Sequence, residues 1–567
     1  MAAAPLNRAL TIVARDPSVE RDGQMLLAHV DVPYETLGPG PRGHRVHVVD
    51  VDTGSGLLYR PRPRTGDQDP YAAFLENTRK DRGPLLRDPR FHQQNVYAIV
   101  MRTLALFERA LGRRVAWGFD RHQLRVVPHA FVDANAFYAR DPEALMFGYF
   151  PVGKGHVFLC LSHDVVAHEA THAIVDGLRP WYLDPSSSDQ AAFHEAFADL
   201  VAILSFFSLR EIASRLLDPI GKGSRVAARH VTRKALERSI LVAIGKEVAE
   251  ATAGRDQVMR RSVEIQPARD LLERGEFQEP HRRGEVLVAA MLDAFLTIWS
   301  ERVHEIADRR SGTVSRDRAM EDGAATAGHL LRSAIRALDY APPVDLGFGD
   351  FLSALVTADR ELHPDGEPLR KLLLARFAAY GVDPASAHGY WEPPPREARL
   401  ESVHFESLQR DPQEVFRFLW ENRGEDVLGL DETADTRVTW VRPCVRVASD
   451  GFVLRETVAE YVQSASMRAD ELPRGVRPAD VPADLQMKLT GGGTLVFDEF
   501  GRLKYHVQNR LFSSRQAQRL SYLWEQTGVG DRESLRPALS FSDLHRRRLS
   551  GASRPYAAAS RRRHARG

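Results

Sequence analysis

Cysteine is nearly missing from this chain: Cys160 and Cys444 are the whole complement in 567 residues. Two thiols cannot form a disulfide framework, and they suit a reducing compartment. An excess of one charge is missing too. Lysine and arginine number 77 against 76 acidic residues, so nothing global draws the protein toward nucleic acid or an anionic membrane surface. Long apolar runs are absent; stretches such as 286–299 are interrupted by charge and too short to span a bilayer. The opening residues, Met1-Ala2-Ala3-Ala4-Pro5-Leu6-Asn7-Arg8, lack the basic segment and apolar core of a signal peptide, and no internal repeat is visible. These absences set the expectation of a soluble, cytoplasmic protein with no membrane partner. The 43% hydrophobic share is ample for large cores, and the length suits about two to four domains.

Histidine, by contrast, is plentiful, with 21 residues, and two of them carry the strongest signal. In His168-Glu169-Ala170-Thr171-His172, positions i and i+4 share one helix face, so two imidazoles can meet one metal ion while Glu169 points to the same cleft. In so His-rich a chain five residues can match by chance, so the flanks must carry the case. They do: Val165, Val166, Ala167, Ala173, Ile174 and Val175 make the segment apolar wherever it is not ligand-like, as a helix buried behind a metal would be. A catalytic zinc needs a third protein ligand and one open position. Glu195, in His194-Glu195-Ala196-Phe197-Ala198-Asp199, can be that ligand, and Asp199 one turn later can accept a hydrogen bond from a ligand imidazole. One zinc ion per chain is the implied cofactor.

Around this motif the pattern divides. Residues 1–87 alternate short β-branched runs at 27–33 and 45–51 with Pro/Gly turns and read as a small sheet. Helical spacing over 95–111 predicts one long buried helix, and strand-like pieces follow at 124–132 and 157–161. From residue 190 to about 382 the pattern is almost wholly helical, with breaks at Asp218-Pro219, Glu279-Pro280 and Ala341-Pro342-Pro343. Trp391-Glu392-Pro393-Pro394-Pro395 reads as a domain boundary. Beyond it, 436–447 and 494–507 read as strands, the latter a hairpin turning near Gly501, in a separate α+β module spanning 400–544. A chain ending near residue 390 is therefore expected to fold and bind zinc alone. The tail 545–567 holds eight arginines and no acid, and reads as disordered; nucleic acid is not an expected partner beyond a weak role for this tail.

Several pieces in order resemble the thermolysin-like zinc endopeptidases, the gluzincins. Besides the zinc motifs these are Asn135-Ala136-Phe137-Tyr138 with Phe147-Gly148, the helix opening Asp88-Pro89-Arg90-Phe91, His281 with Gly284, and a closing helix over 369–382. The resemblance covers roughly residues 85–385. It implies an α+β, two-lobed peptidase, with a mixed α/β lobe over 88–189 and a helical lobe over 190–385, to which the C-terminal module is an addition. It also implies hydrolysis of a peptide or protein substrate by metal-activated water. His168, His172 and Glu195 would bind zinc, and Glu169 would act as general base. His281 would stabilise the oxyanion, with Glu276 or Glu279 orienting it, and Tyr182 lies one position from the family's oxyanion tyrosine. Asn135 and the backbone of Ala136 would hold substrate extended, Arg269 would bind a carbonyl, and Phe158, Leu161 and Val165 would favour an apolar residue after the scissile bond. One family feature is lost: Phe206 stands where the double calcium site needs a carboxylate, leaving Asp164 alone. An aminopeptidase-like exopeptidase, or a regulatory or binding protein on a peptidase scaffold, are the other readings.

Overall fold

The computed structural model describes residues 5–14, 25–61, 68–76, 81–152, 155–221, 223–244, 261–394, 397–401, 403–447, 451–478 and 481–527. The Arg-rich tail lies outside the described residues. Helices and several separate sheets give a mixed, α+β composition.

The long helix Pro89–Leu111 organises the first half. Asp88 starts it, accepting the Arg90 amide at 3.0 Å, and Pro89 fits the first turn because its missing N–H would find no intrahelical partner there. Gly112 ends it in the left-handed region at φ 67°, where its carbonyl takes the Val445 amide at 2.9 Å. A Cβ there would collide with the Val445 carbonyl, so both conformation and close approach require glycine. The helix begins six residues before the apolar spacing does. Its first turns bury Gln93, Gln94 and Asn95, amides that interrupt the periodicity and instead hold the surrounding chain. Asn95 accepts from the Val13 amide and donates to the Cys160 carbonyl, both at 2.8 Å, and Gln94 donates to the Thr11 carbonyl at 3.0 Å.

The small N-terminal sheet is divided. Among the described residues Asn7–Val13 pairs only with Leu27–Pro33, whereas Val46–Val48 joins a five-stranded sheet in parallel with Leu124–Val132. That sheet continues through Ala144–Val152, which pairs with both Ala136–Ala139 and Gly155–Phe158. Ala136–Ala139 lies at the sheet's edge.

In the second half, helix Ser188–Phe207 is the hub. Of the described helices it alone is long and apolar enough to cross a membrane, but 94% of its apolar window is buried inside the protein. His163–Leu178, Pro280–Glu305 and Arg316–Ala337 pack around it. Glu279-Pro280 proves to be a helix start rather than a break, because the Glu279 side chain accepts the Arg282 amide at 2.9 Å. The helical run also admits one short antiparallel pair, Arg225–Ala227 with Thr313–Ser315.

After the prolines, Asp435–Val447, Val453–Arg468, Gln486–Phe497 and Leu503–Asn509 form an antiparallel meander. The expected hairpin is its last turn, with Gly501 at φ 80°. The module has two apolar clusters of its own and also packs on the helical half. Val496, Tyr505 and Val507 belong to the same apolar core as the helical half, and Thr494 and Asn509 donate to the carbonyls of Ala341 and Val344. Between the two lies a buried charge network. Arg113 grips Asp339 through two 2.6 Å hydrogen bonds, and Arg446 bridges Asp339 and Glu456. Arg179 pairs with Glu460, and Lys504 reaches Glu456 at 2.9 Å. Ions this deep are stable only while paired, since each lost partner strands a charge away from water.

Candidate metal centre

Helix His163–Leu178 carries the first two candidate ligands on one face. His168 and His172 are each 1% exposed, with their rings nearly perpendicular at 84° and their Nε2 atoms 2.7 Å apart. Glu195 comes from the neighbouring helix Ser188–Phe207. Its carboxylate oxygens lie 3.5 Å from His168 Nε2 and 3.8 Å from His172 Nε2. The outer edges of the rings are fixed as well: Asp199 Oδ1 accepts from His168 Nδ1 at 2.7 Å, which leaves the inner nitrogen as a lone pair. His172 Nδ1 lies 2.9 Å from His194 Nδ1, with the two rings stacked. Sequence reasoning misses His194. Its only signal is its place next to Glu195, and its role depends on how closely the two helices approach.

Glu169 is fully buried and faces the edge strand Ala136–Ala139, where its Oε2 accepts the Tyr138 amide at 3.1 Å. That amide is on the strand's open side, since the other side is taken by Ala144–Val152. A second tie runs from the strand and the residue after it to the helix end: Asp176 accepts from Tyr138 Oη and Arg140 Nε, both at 2.8 Å. Asn135, just before the strand, is 5% exposed, and its Oδ1 has no hydrogen-bond partner among the described residues. Leu161 and Val165 are buried and Phe158 is half-buried.

His281 stands in the first turn of Pro280–Glu305. Gly284, one turn on, lets that helix sit directly on Ala192 and Ala196, which flank Glu195 in sequence; a Cβ would meet the Ala192 carbonyl at 3.1 Å. The ring's Nδ1 is held by Glu279, not Glu276, because Glu279 caps the same helix and so turns its carboxylate toward the first turn. Burial would push the Glu279 carboxyl up, but the His281 ring and the amides of Arg282 and His281 bring it down to about 2.

Two expected site residues are placed elsewhere. Tyr182 is 1% exposed and its hydroxyl is committed to the Pro342 carbonyl at 2.6 Å, so it is a packing residue rather than an oxyanion donor. Arg269 is exposed and paired with Asp383 at 2.7 Å, a surface bridge rather than a carbonyl-binding group. Asp164 accepts from Ser162 Oγ, and Phe206 packs against the core. Selective calcium chelation should leave the melting temperature unchanged; a fall of many degrees would reveal a calcium site built from other residues.

No protein-family model and no curated protein matches this chain.

Proposed function

We propose that the protein is a zinc-dependent endopeptidase of the thermolysin-like, two-lobed kind. The observation that carries this reading is the convergence of His168 Nε2, His172 Nε2 and the Glu195 carboxylate, with Glu169 of the His168 helix hydrogen-bonded to the edge strand Ala136–Ala139. Two neutral imidazoles and one carboxylate are a donor set that zinc accepts, and the tautomer fixed by Asp199 points a lone pair at the shared point. Zinc held there would supply a Lewis acid that polarises the scissile carbonyl and makes water acidic near neutral pH.

The chain's own residues supply the rest. The edge strand offers backbone N–H and C=O groups to an extended peptide, and it does not require a free terminus, which favours internal cleavage over exopeptidase action. Glu169, with one oxygen steadied by the Tyr138 amide, takes the proton of the attacking water and returns it to the leaving nitrogen. His281, donating through Nδ1 to Glu279, donates through Nε2 to the developing oxyanion in its imidazolium form, a charge-assisted hydrogen bond. Leu161, Val165 and Phe158 supply apolar surface for the residue after the scissile bond.

Glu195→Ala or His172→Ala should remove one equivalent of zinc and all peptidase activity, measured by metal analysis and cleavage of a peptide library. Cuts in that library should fall before apolar residues. Activity in protein lacking this metal equivalent but still folded would overturn the reading.

A further inference from the structure

A second group of side chains, His92, His129 and Cys160, brings ligand atoms within 4.8 Å of one another with all three residues buried. They come from three elements: helix Pro89–Leu111, strand Leu124–Val132 and the turn Leu159–Leu161, which runs directly into the His168 helix.

The tautomers of the two imidazoles follow from their outer partners. His92 Nε2 lies 3.1 Å from the Leu86 carbonyl, which can only accept, so the proton is on Nε2 and the lone pair on Nδ1. His129 Nδ1 lies 2.7 Å from Asp50 Oδ1, and the other Asp50 oxygen accepts Gln93 Nε2 at 2.8 Å. An Asp50 carboxylate therefore places the His129 proton on Nδ1 and its lone pair on Nε2. Those two lone pairs, His92 Nδ1 and His129 Nε2, face each other at 2.9 Å. Such a contact is repulsive unless a cation lies between, either one further proton shared along Asp50, His129 and His92 or a metal ion.

We propose that His92 Nδ1, His129 Nε2 and Cys160 Sγ form a second, structural zinc site. The construction repeats that of the candidate catalytic centre, where facing Nε2 atoms lie 2.7 Å apart and a carboxylate holds the outer nitrogen. The donors differ, because this set includes sulfur. Two imidazoles and a thiolate suit a borderline cation such as zinc and disfavour calcium or magnesium, which seek oxygen. Charge also closes: one thiolate and Asp50 balance the two positive charges of the ion. The Cys160 backbone is already steadied by Asn95 at 2.8 Å, so the thiol is presented by a fixed turn. A metal here would pin helix, sheet and turn together at the entrance to the His168 helix.

The test uses the full-length protein. Wild type should hold two zinc equivalents, and Glu195→Ala should keep one. Exchange into cobalt should produce a thiolate-to-cobalt charge-transfer band in the near ultraviolet, which the sulfur-free His168, His172 and Glu195 set cannot give. The band should vanish in Cys160→Ser and persist in Cys444→Ser. Absence of the band from wild type, its survival in Cys160→Ser, or a metal-free Glu195→Ala protein would each overturn the site and leave a proton-sharing hydrogen-bond chain. Because Glu195→Ala disables the first centre, this result stands apart from whether the protein cleaves peptides.

Discussion

Replacing Glu169 by glutamine should lower kcat at least about a hundredfold while zinc content and melting behaviour stay those of the wild type. The amide keeps the shape of the carboxylate, and its oxygen can still accept the Tyr138 amide, so strand and helix remain docked. What is lost is the capacity to take a proton. The reading is checked by measuring kcat and KM alongside metal analysis: a fall in kcat with little change in KM places the loss in the chemical step. Loss of zinc in this variant would instead make Glu169 part of the metal's support and remove it from the role of base.

A chain ending near residue 390 should fail to fold into a zinc-binding protein. Truncation there exposes the apolar surface that Val496, Tyr505 and Val507 cover and deprives Asp339 and Arg179 of Arg446 and Glu460. The milder variant Asp339→Ala should still fold but lose about 3–5 kcal/mol in urea denaturation, because Arg113 and Arg446 would remain as buried cations without their shared anion. The same network gives an acid dependence. Burial would raise the Asp339 carboxyl, but Arg113, Arg446 and Arg179 hold it well below the usual carboxylate range. A depressed folded pKa contributes stability that is complete above the unfolded value of about 3.9 and fades as pH falls below it. Wild type should therefore lose stability steeply below about pH 4, and Asp339→Ala should show a shallower slope there. A soluble, zinc-loaded 1–390 fragment that cleaves peptides would show that the helical half needs no support from the sheet.

Much of this architecture is legible in the amino-acid sequence, and the exceptions share a cause. The strand over 124–132, the His168 helix and the last hairpin follow local rules of spacing and turn chemistry. Strand Val453–Arg468 does not: buried on both faces through its middle, it shows no alternation, and it buries Glu456 and Glu460, which read as surface residues until Arg446 and Arg179 are seen opposite. The early start of helix Pro89–Leu111 is hidden in the same way by buried amides whose partners are distant in sequence. At the site, the i, i+4 pair and Glu195 stand close enough along the chain to be found by eye. His194, the choice of Glu279 over Glu276, and the grouping of His92 with His129 and Cys160 depend on which elements come to lie side by side.

Arg179 follows directly on the His168 helix, and its partner Glu460 belongs to the sheet beyond the prolines. The proline-rich stretch looks like a place where genes could be cut and rejoined, but the ion network makes it a poor one. A recombinant that exchanged the last third for another domain would inherit two buried cations, Arg113 and Arg179, with Asp339 as the one anion left of this network. Such a swap would succeed only if the incoming piece brought its own anion for Arg179, since Arg113 still neutralises Asp339. The two parts should therefore pass between genomes together, with changes at these charges occurring in matched pairs.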